Sequence, residues 1–510
     1  KNQNNIYNYL FPMLKNIFIT AGLLIGLSSL PAHSVPASST PVAGANLGYA
    51  YQKPGDSKVY GYNTDVYFHP ASTQKLLTGL SAILFLGPDF TLKTSVMVAE
   101  SNVTKDGRLK LTEDGTLQGN VLIKFTGDPT LSSADYYALI GNLSKHGVKR
   151  INGSVILDLS RFGGRSRANG WSWDDLPVCF TAPAASVIIN RNCVISALQP
   201  AGEGSVASPV ADSSSPIKIT SDAVAVLPKN YGGDCELQAD LYMKNEYHMT
   251  GCVPIQKGNK AWPLSLSITD PDDWGVQWTK KAFANKHISI QKIVLSHDSG
   301  ASSGYRAVAQ YVSKPLSQLV KYMLWHSNNL YADAIAKNIA AEYYGRSATY
   351  YRALTAIKSI LSKYADIDLG NAYLVDGSGL SPHNLITPHQ MLNLLSYVNK
   401  NNDKLHFIEL LPVAGESGTL RFRGSCNKPP LIHNVTAKTG TLQNVSNLAG
   451  FLTTKSGHRV PFVLFANALS YDQKTMDNLR FHRISNPNYR HERYLLESIY
   501  NELTAGRDFH

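Results

Sequence analysis

Ser72 and Lys75 stand three residues apart in the stretch His69–Leu86, HPASTQKLLTGLSAILFL. Side chains at that spacing share one face of a helix, so an ammonium would sit beside a hydroxyl. A lysine whose proton is disfavoured by burial and by a nearby cation can take the hydroxyl's proton, which makes serine a nucleophile without histidine. Two more short patterns follow in order: Ser327-Asn328-Asn329, of the form S-x-N, and Lys438-Thr439-Gly440-Thr441, of the form K-T-G-T. Lys438 would supply the cation and attract a substrate carboxylate. Ser327 would relay a proton to a leaving amine, and Asn329 would hold Lys75 or a substrate amide in register. Gly440 has no side chain, so an extended substrate could lie against the edge of its strand. The backbone N–H groups of Ser72 and Thr441 would make an oxyanion hole.

Each pattern alone is common. S-x-x-K recurs at Ser215–Lys218 and S-x-N at Ser425–Asn427, the first interrupted by Pro216 and the second in a Cys- and Pro-rich loop. What separates the chemical set is the elements that would carry it. Leu76, Leu80, Ile83 and Leu84 fall at helical spacing behind Ser72, Pro70 enters the helix, and Gly87-Pro88 ends it. Ser327–Asn329 lies in the turn between helices expected at 315–324 and 330–344. Lys438–Thr441 lies on a strand expected at 435–441, followed by strands at 446–454 and 461–469 and a last helix at 490–502. Earlier, strands at 46–52 and 58–63 flank the turn Pro54-Gly55-Asp56, and a strand is expected at 91–99. Between about residues 100 and 305 the pattern changes to short alternating runs, such as 120–125 and 153–159, with one helix at 133–146 and a low-complexity loop at 201–216. The expected fold is therefore one α/β domain, 35–99 and 306–510, interrupted by a long β-rich insertion, 100–305, of two modules.

At 510 residues the chain is long enough for two or three cores. Its 43% hydrophobic and 17% charged composition is that of a globular protein. The net charge of +11 is spread along the chain without a Lys/Arg-rich run or a recognition module, which argues against a nucleic-acid partner. Ile17–Leu30 is an apolar run following Lys1 and Lys15, with Ala32-His33-Ser34 as a small-residue cleavage site, so residues 1–34 read as a secretory signal. Export to the periplasm or cell envelope permits disulfides. Among the five cysteines, Cys179 with Cys193 and Cys235 with Cys252 close short loops, leaving Cys426 free. Metal binding is the competing use of cysteine, but no Cys-x-x-Cys pair supports it, and the chemistry above needs no cofactor or metal.

Other enzyme classes leave weaker traces. Gly300-Ala301-Ser302-Ser303-Gly304 matches G-x-S-x-G, the nucleophile elbow of secreted esterases and related hydrolases, but residues 305–312 make a poor elbow helix. His69 lies near Ser72 without a triad spacing, His383 and His389 read as structural, and there is no H-E-x-x-H. A β-lactamase would share the acylating residues but needs a group to activate water for rapid deacylation. A non-enzymatic wall-binding protein would have lost part of the set, and none is missing.

The S-x-x-K, S-x-N and K-T-G set is that of penicillin-binding proteins and class A β-lactamases. Around it the chain resembles the class C low-molecular-mass penicillin-binding proteins, the D-alanyl-D-alanine carboxypeptidase/endopeptidase family. The likeness is carried by Asp376-Gly377-Ser378-Gly379-Leu380-Ser381, Leu411–Gly415 with Gly418-Thr419-Leu420-Arg421, and Gly440–Gln443 leading to Asn447–Phe451. It runs from about Gly48 to Tyr500, and the long stretch between Lys75 and Ser327 is similar to the family's two-domain insertion. The resemblance implies a serine β-lactamase-like transpeptidase domain with an antiparallel sheet and helices. It implies hydrolysis of D-alanyl-D-alanine or of D-amino acid crosslinks in peptidoglycan stem peptides, with β-lactam antibiotics as covalent inhibitors. Within the insertion, Trp171–Asp175 and Cys179-Phe180 resemble a segment that reaches back to the active site. By that likeness Asp175 would face the free amine of a diamino acid, Phe180 would pack beside it, and Gln443 would lie on the substrate side. Family members often carry Arg where this chain has Pro382, and proline cannot bind a carboxylate.

Overall fold

The computed structural model describes residues 42–210, 215–480 and 483–502. The expected leader, residues 1–34, lies outside them. The first hairpin is β1 (Asn46–Gln52) and β2 (Val59–Tyr62). A 3-10 turn, Ala71–Gln74, then leads into helix α1 (Lys75–Leu86). The nucleophile candidate Ser72 thus precedes the α-helix, in a turn where residues three apart eclipse one another and meet side by side. α1 is buried at every position from Lys75 to Ile83, well beyond the single apolar stripe expected from the leucines. Gly87, at φ 84°, ends it.

The chain leaves through β3 (Lys93–Ala99), and the excursion holds two cores. Its elements are β4 (Thr116–Gln118), β5 (Val121–Lys124), α2 (Ser133–Lys145), β6 (Arg150–Asp158), β7 (Cys193–Gln199), β8 (Ser208–Val210), β9 (Lys218–Ser221), β10 (Val224–Val226), β11 (Leu237–Tyr242), β12 (Glu246–Pro254), β13 (Trp262–Ser267), α3 (Pro271–Asn285), β14 (Ser289–Ser296) and β15 (Tyr305–Val312). The larger core is a mixed sheet in the order β14-β6-β5-β3-β15, with β4 also on β6, against which α2 and α3 pack Tyr136, Ile140, Trp274 and Phe283. β15 runs antiparallel to β3, with Tyr305 opposite Ala99 and Val312 opposite Lys93. This sheet therefore begins at Lys93 and ends at Val312, outside the boundaries 100 and 305 expected from composition. The smaller core collects Leu198, Tyr247, Met249 and Val253 from the short strands. Cys179–Cys193 and Cys235–Cys252 are disulfide-bonded, and Cys426 is a buried free thiol.

The strand-like texture of residues 100–305 predicts one helix there, at 133–146, and α3 is a further helix that this texture masks. Its signals are nevertheless ordinary: Asp270 caps it through the Asp273 N–H, Pro271 occupies the first turn, and Trp274, Trp278 and Ala282 recur four apart.

The chain returns as α4 (Leu316–His326), α5 (Asn329–Tyr344), α6 (Tyr350–Ala365), α7 (Pro388–Leu405), β16 (Val435–Leu442), β17 (Val445–Thr453), β18 (Arg459–Asn467), α8 (Gln473–Arg480) and α9 (Asn488–Tyr500). β16, β17, β18, β1 and β2 form one antiparallel sheet in that order. Strand alternation divides its side chains between two cores. Ala449, Phe451, Val463 and Phe465 face the helical core of α1, α4, α5, α6 and α7, whereas Leu448, Leu452, Phe462 and Leu464 face α9. Residues separated by most of the chain thus meet at β16, the outer strand beside Ser72.

Candidate active site

Ala71, at φ 47°, turns the chain sharply before Ser72, and the 3-10 turn brings Lys75 Nζ to 2.8 Å from Ser72 Oγ, to which it donates. Nζ also donates to Asn329 Oδ1 at 2.7 Å and to the Ser378 carbonyl at 2.7 Å. Lys75 has no solvent exposure. Burial lowers its pKa to about 7, against the pull of the Asp333 and Asp376 carboxylates. The sequence reading assigned part of this effect to Lys438. Burial is the largest cause, and repulsion between two neighbouring ammonium groups is mutual, so the protonation of Lys438 is disfavoured as well, first by burial, then by Lys75 and Arg423.

Ser327 closes α4 in the left-handed conformation, at φ 52°. That turn lets Asn328 cap α5 through the Tyr331 N–H and points Asn329, the first residue of α5, at Lys75. Ser327 Oγ accepts from Lys438 Nζ at 2.9 Å, and Nζ also donates to the Thr439 carbonyl at 2.8 Å. The structure thus brings together Ser72, Lys75, Ser327, Asn329 and Lys438, from a 3-10 turn, two helices and a strand.

Gly440 packs against the turn that carries Ser72. A Cβ there would lie 2.7 Å from the Pro70 carbonyl oxygen and 3.1 Å from Thr73 Cγ2. This position demands glycine for the approach of strand and turn, a reason the sequence reading, which invoked the substrate, did not contain. Asn447, opposite Gly440 on β17, donates to the carbonyls of His69 and Pro70 at 2.8 and 3.0 Å and so fixes the same turn from behind. Thr439 donates to Thr419 Oγ1 at 2.9 Å. Thr441 is exposed, and Gln443 is exposed in the hairpin turn between β16 and β17.

From the insertion, the segment 171–181 reaches this centre through its backbone. The Phe180 carbonyl accepts from Asn329 Nδ2 at 2.8 Å, while the Phe180 ring is 43% exposed. Asp175, half-buried in the 3-10 turn Trp173–Asp175, has its carboxyl pKa raised by burial and by Asp174, with a Ser172 hydrogen bond opposing. Pro382 is exposed.

Sequence reasoning missed the layer behind these groups. Asp333 and Lys337 follow Asn329 at successive four-residue steps on α5, and all three are buried. Burial and Asp376 raise the pKa of Asp333, which accepts from the Gly377 N–H at 2.8 Å. Lys337 donates to the carbonyls of Arg165 and Ala184 at 3.0 and 2.8 Å. Arg423 pairs with Glu492 with both side chains buried, and its Nη2 reaches the Asn447 carbonyl at 3.4 Å. The spacing of polar residues on an otherwise apolar α5 was the signal available for the first group.

The rival patterns do not assemble. Gly300–Gly304 joins β14 to β15, so a strand follows it where an elbow needs a helix, and Ser302 Oγ accepts from Lys124 at 3.1 Å. His69 Nδ1 lies 3.4 Å from the Asn384 carbonyl, and His389 meets Asp65 near the surface.

Residues 36–482 match the family described as D-Ala-D-Ala carboxypeptidase 3 (S13). The chain is 36% identical over 429 residues to the D-alanyl-D-alanine carboxypeptidase DacB of Haemophilus influenzae, covering 84% of this chain and 86% of that one. It is 27% identical over 406 residues to the D-alanyl-D-alanine carboxypeptidase of Actinomadura sp. (strain R39), covering 76% and 71%. Its structure is similar to the crystal structure of penicillin binding protein 4 from Haemophilus influenzae, with a TM-score of 0.82, 33% identity and coverage of 91% of this chain and 98% of that one. A structure of that protein complexed with a novel β-lactam is similar with a TM-score of 0.78, 32% identity and the same coverage.

Proposed function

From the premise that the chain belongs to the D-Ala-D-Ala carboxypeptidase 3 (S13) family, we infer that it hydrolyses the D-alanyl-D-alanine ends of peptidoglycan stem peptides through a Ser72 acyl-enzyme. It is a serine-type DD-carboxypeptidase that binds penicillin. The observation that carries the assignment to Ser72 is the buried Lys75 amine, 2.8 Å from its hydroxyl and poised near neutrality.

In this reading Ser72 Oγ attacks the carbonyl carbon of the D-Ala-D-Ala bond as its proton passes to Lys75 Nζ. The N–H groups of Ser72 and Thr441 stabilise the oxyanion. The C–N bond then breaks, and the departing amine of D-alanine takes a proton through Ser327 Oγ. Water adds to the acyl carbon, the ester bond to Ser72 breaks, and the shortened peptide leaves. Asn329 keeps Lys75 and the insertion segment in register. The substrate's terminal carboxylate meets Lys438, Thr439 and Thr441, and its counter-charge favours the protonated form of Lys438. The peptide lies extended against β16 beside Gly440. Asp175, Phe180 and Gln443 read the stem-peptide side chain, Asp175 by pairing with its amine. A β-lactam acylates Ser72 in the same way, but its leaving amine stays tethered to the acyl group.

We propose cleavage of D-amino acid crosslinks as the second activity, supported by the outer edge of β16 from Lys438 onward; before it, Val435–Ala437 is hydrogen-bonded to residues 412–414. The envelope is the place of action, in keeping with the leader-like sequence and the paired cysteines.

Fluorescent penicillin tests the acylation. It should label the intact protein covalently and fail to label Ser72→Ala; no label on the wild type would refute the acyl-enzyme. Digestion of purified crosslinked and uncrosslinked muropeptides separates the two activities. Release of D-alanine with crosslinks untouched would remove the endopeptidase claim.

A further inference from the structure

The segment Asp376–Ser381 makes no proposed contact with the scissile bond, yet almost every polar group in it is committed. The Asp376 carboxylate has no solvent exposure and accepts four hydrogen bonds. Oδ1 takes the Gly379 N–H at 2.7 Å and Asn384 Nδ2 at 3.0 Å. Oδ2 takes the Ser381 N–H at 2.7 Å and Trp171 Nε1 at 2.9 Å. Three of these donors lie within the same stretch of chain, but Trp171 belongs to the insertion, four residues before Asp175. A second tie runs beside it, from Ser381 Oγ to the Asn169 carbonyl at 2.8 Å.

The other side of the segment holds the base. The Ser378 carbonyl accepts from Lys75, the Gly377 carbonyl from Thr78 Oγ1 at 2.6 Å, and the Asp376 carbonyl from Gln74 Nε2. Gly379, at φ 77°, passes so near the Ser72 turn that a Cβ would collide with the Ala71 carbonyl. A side chain that clamps Gly379 and Ser381 therefore sets where the Ser378 carbonyl points, while the same carboxylate grips the insertion through Trp171.

We propose that Asp376 is a positioning residue that couples the substrate-reading segment of the insertion to the base Lys75. The coupling rests on the serine-peptidase reading above and goes beyond it. A peptide engaging residues 175–180 pulls on the segment that Trp171 anchors, and Asp376 passes that load to the carbonyl that orients Lys75. A small β-lactam, which needs only the centre around Ser72, gains nothing from the Trp171 tie.

Two variants and two probes test this. In Asp376→Asn an amide replaces the carboxylate, and its NH2 group must face donors on one side, either Trp171 and Ser381 or Gly379 and Asn384. It should slow penicillin acylation and D-alanine release together, by about 100-fold, as misplaced catalytic groups do. Trp171→Phe keeps an aromatic ring but removes the Nε1 donor, and it leaves the Asp376–Ser381 backbone unchanged in sequence. It should cost peptide hydrolysis about tenfold in kcat/KM while penicillin acylation changes less than about threefold. In the double variant the two losses should be strongly non-additive for peptide. Equal losses on both probes for Trp171→Phe, no loss on either, or additive losses in the double variant would overturn the coupling. Melting temperatures separate a general loss of fold, and if Asp376→Asn fails to fold, the two-probe split of Trp171→Phe decides. A wild type that takes no penicillin refutes the serine-peptidase reading instead, whereas a labelled wild type with no split refutes only the coupling.

Discussion

At the scale of single residues, the proposed chemistry turns on the protonation of Lys75. Its amine serves as a base only when neutral, and burial lowers its pKa to about 7. Below that value the ammonium form dominates and cannot take the Ser72 proton. Acylation by penicillin should therefore rise with pH through about 7 and fall away on the acid side, which stopped-flow labelling across a pH series would measure. A rate flat through that range would show that Lys75 is not the base. Ser72, Lys75, Ser327, Asn329 and Lys438 were legible in the sequence because their types and order declare a reaction. Asp333, Asp376 and Trp171 were not, since a buried carboxylate or indole has no spacing rule, and its role is set by partners far along the chain. The Ser378 carbonyl was hidden more completely, because backbone acceptors leave no mark on residue type.

At the scale of elements, the site depends on the close approach of β16 to the turn Ala71–Gln74. Gly440→Ala would place a methyl group 2.7 Å from the Pro70 carbonyl oxygen, and backbone on both sides must shift to admit it. Penicillin acylation should fall about 10- to 100-fold, since the nucleophile rides on that turn. Unchanged labelling kinetics would show that the turn has slack. On the far face of the sheet, Arg423 and Glu492 form a buried pair at 2.6 Å behind Ser446 and Asn447. Glu492→Ala would leave the guanidinium uncompensated, at a cost of about 3–5 kcal/mol, seen as a clear drop in melting temperature. A melting point within error of the wild type would contradict this. Most elements were visible in hydrophobic periodicity, including β1 and the helices α4 and α5. The 3-10 entry to α1 was not, because proline followed by small polar residues also reads as an ordinary helix start. Helix α3 was overlooked because the strand-like texture around it outweighed its own capping and tryptophan spacing.

At the scale of the whole molecule, the insertion is both a separate pair of cores and a contributor to the site. Cys179–Cys193 staples the segment whose Phe180 carbonyl holds Asn329, whereas Cys235–Cys252 ties the turn before β11 to β12. Removing either bridge by paired Cys→Ser changes should cost about 2–5 kcal/mol of stability, read as a lowered melting temperature. Only loss of the first should also slow D-alanine release, which assays of the two paired variants would compare. Equal activity in both would show that the insertion does not steady the centre through this staple. The excursion from β3 to β15 also runs past both boundaries read from composition. The strands that leave and return pair with each other, and nothing in their local pattern distinguishes the sheet they join.

The reaction class is legible in the chain's residues alone, because two serines, two lysines and an asparagine in three ordered patterns have few other uses. Most helices and strands are legible there too, because burial of one face imposes a period on the residues. Only the tertiary structure decided what makes the set work. Solvent exclusion around Lys75, the steric demand at Gly440 and the grip of Asp376 on Trp171 all arise between residues remote in the chain. Desolvation and contact are properties of what surrounds a group, and no local pattern encodes the surroundings.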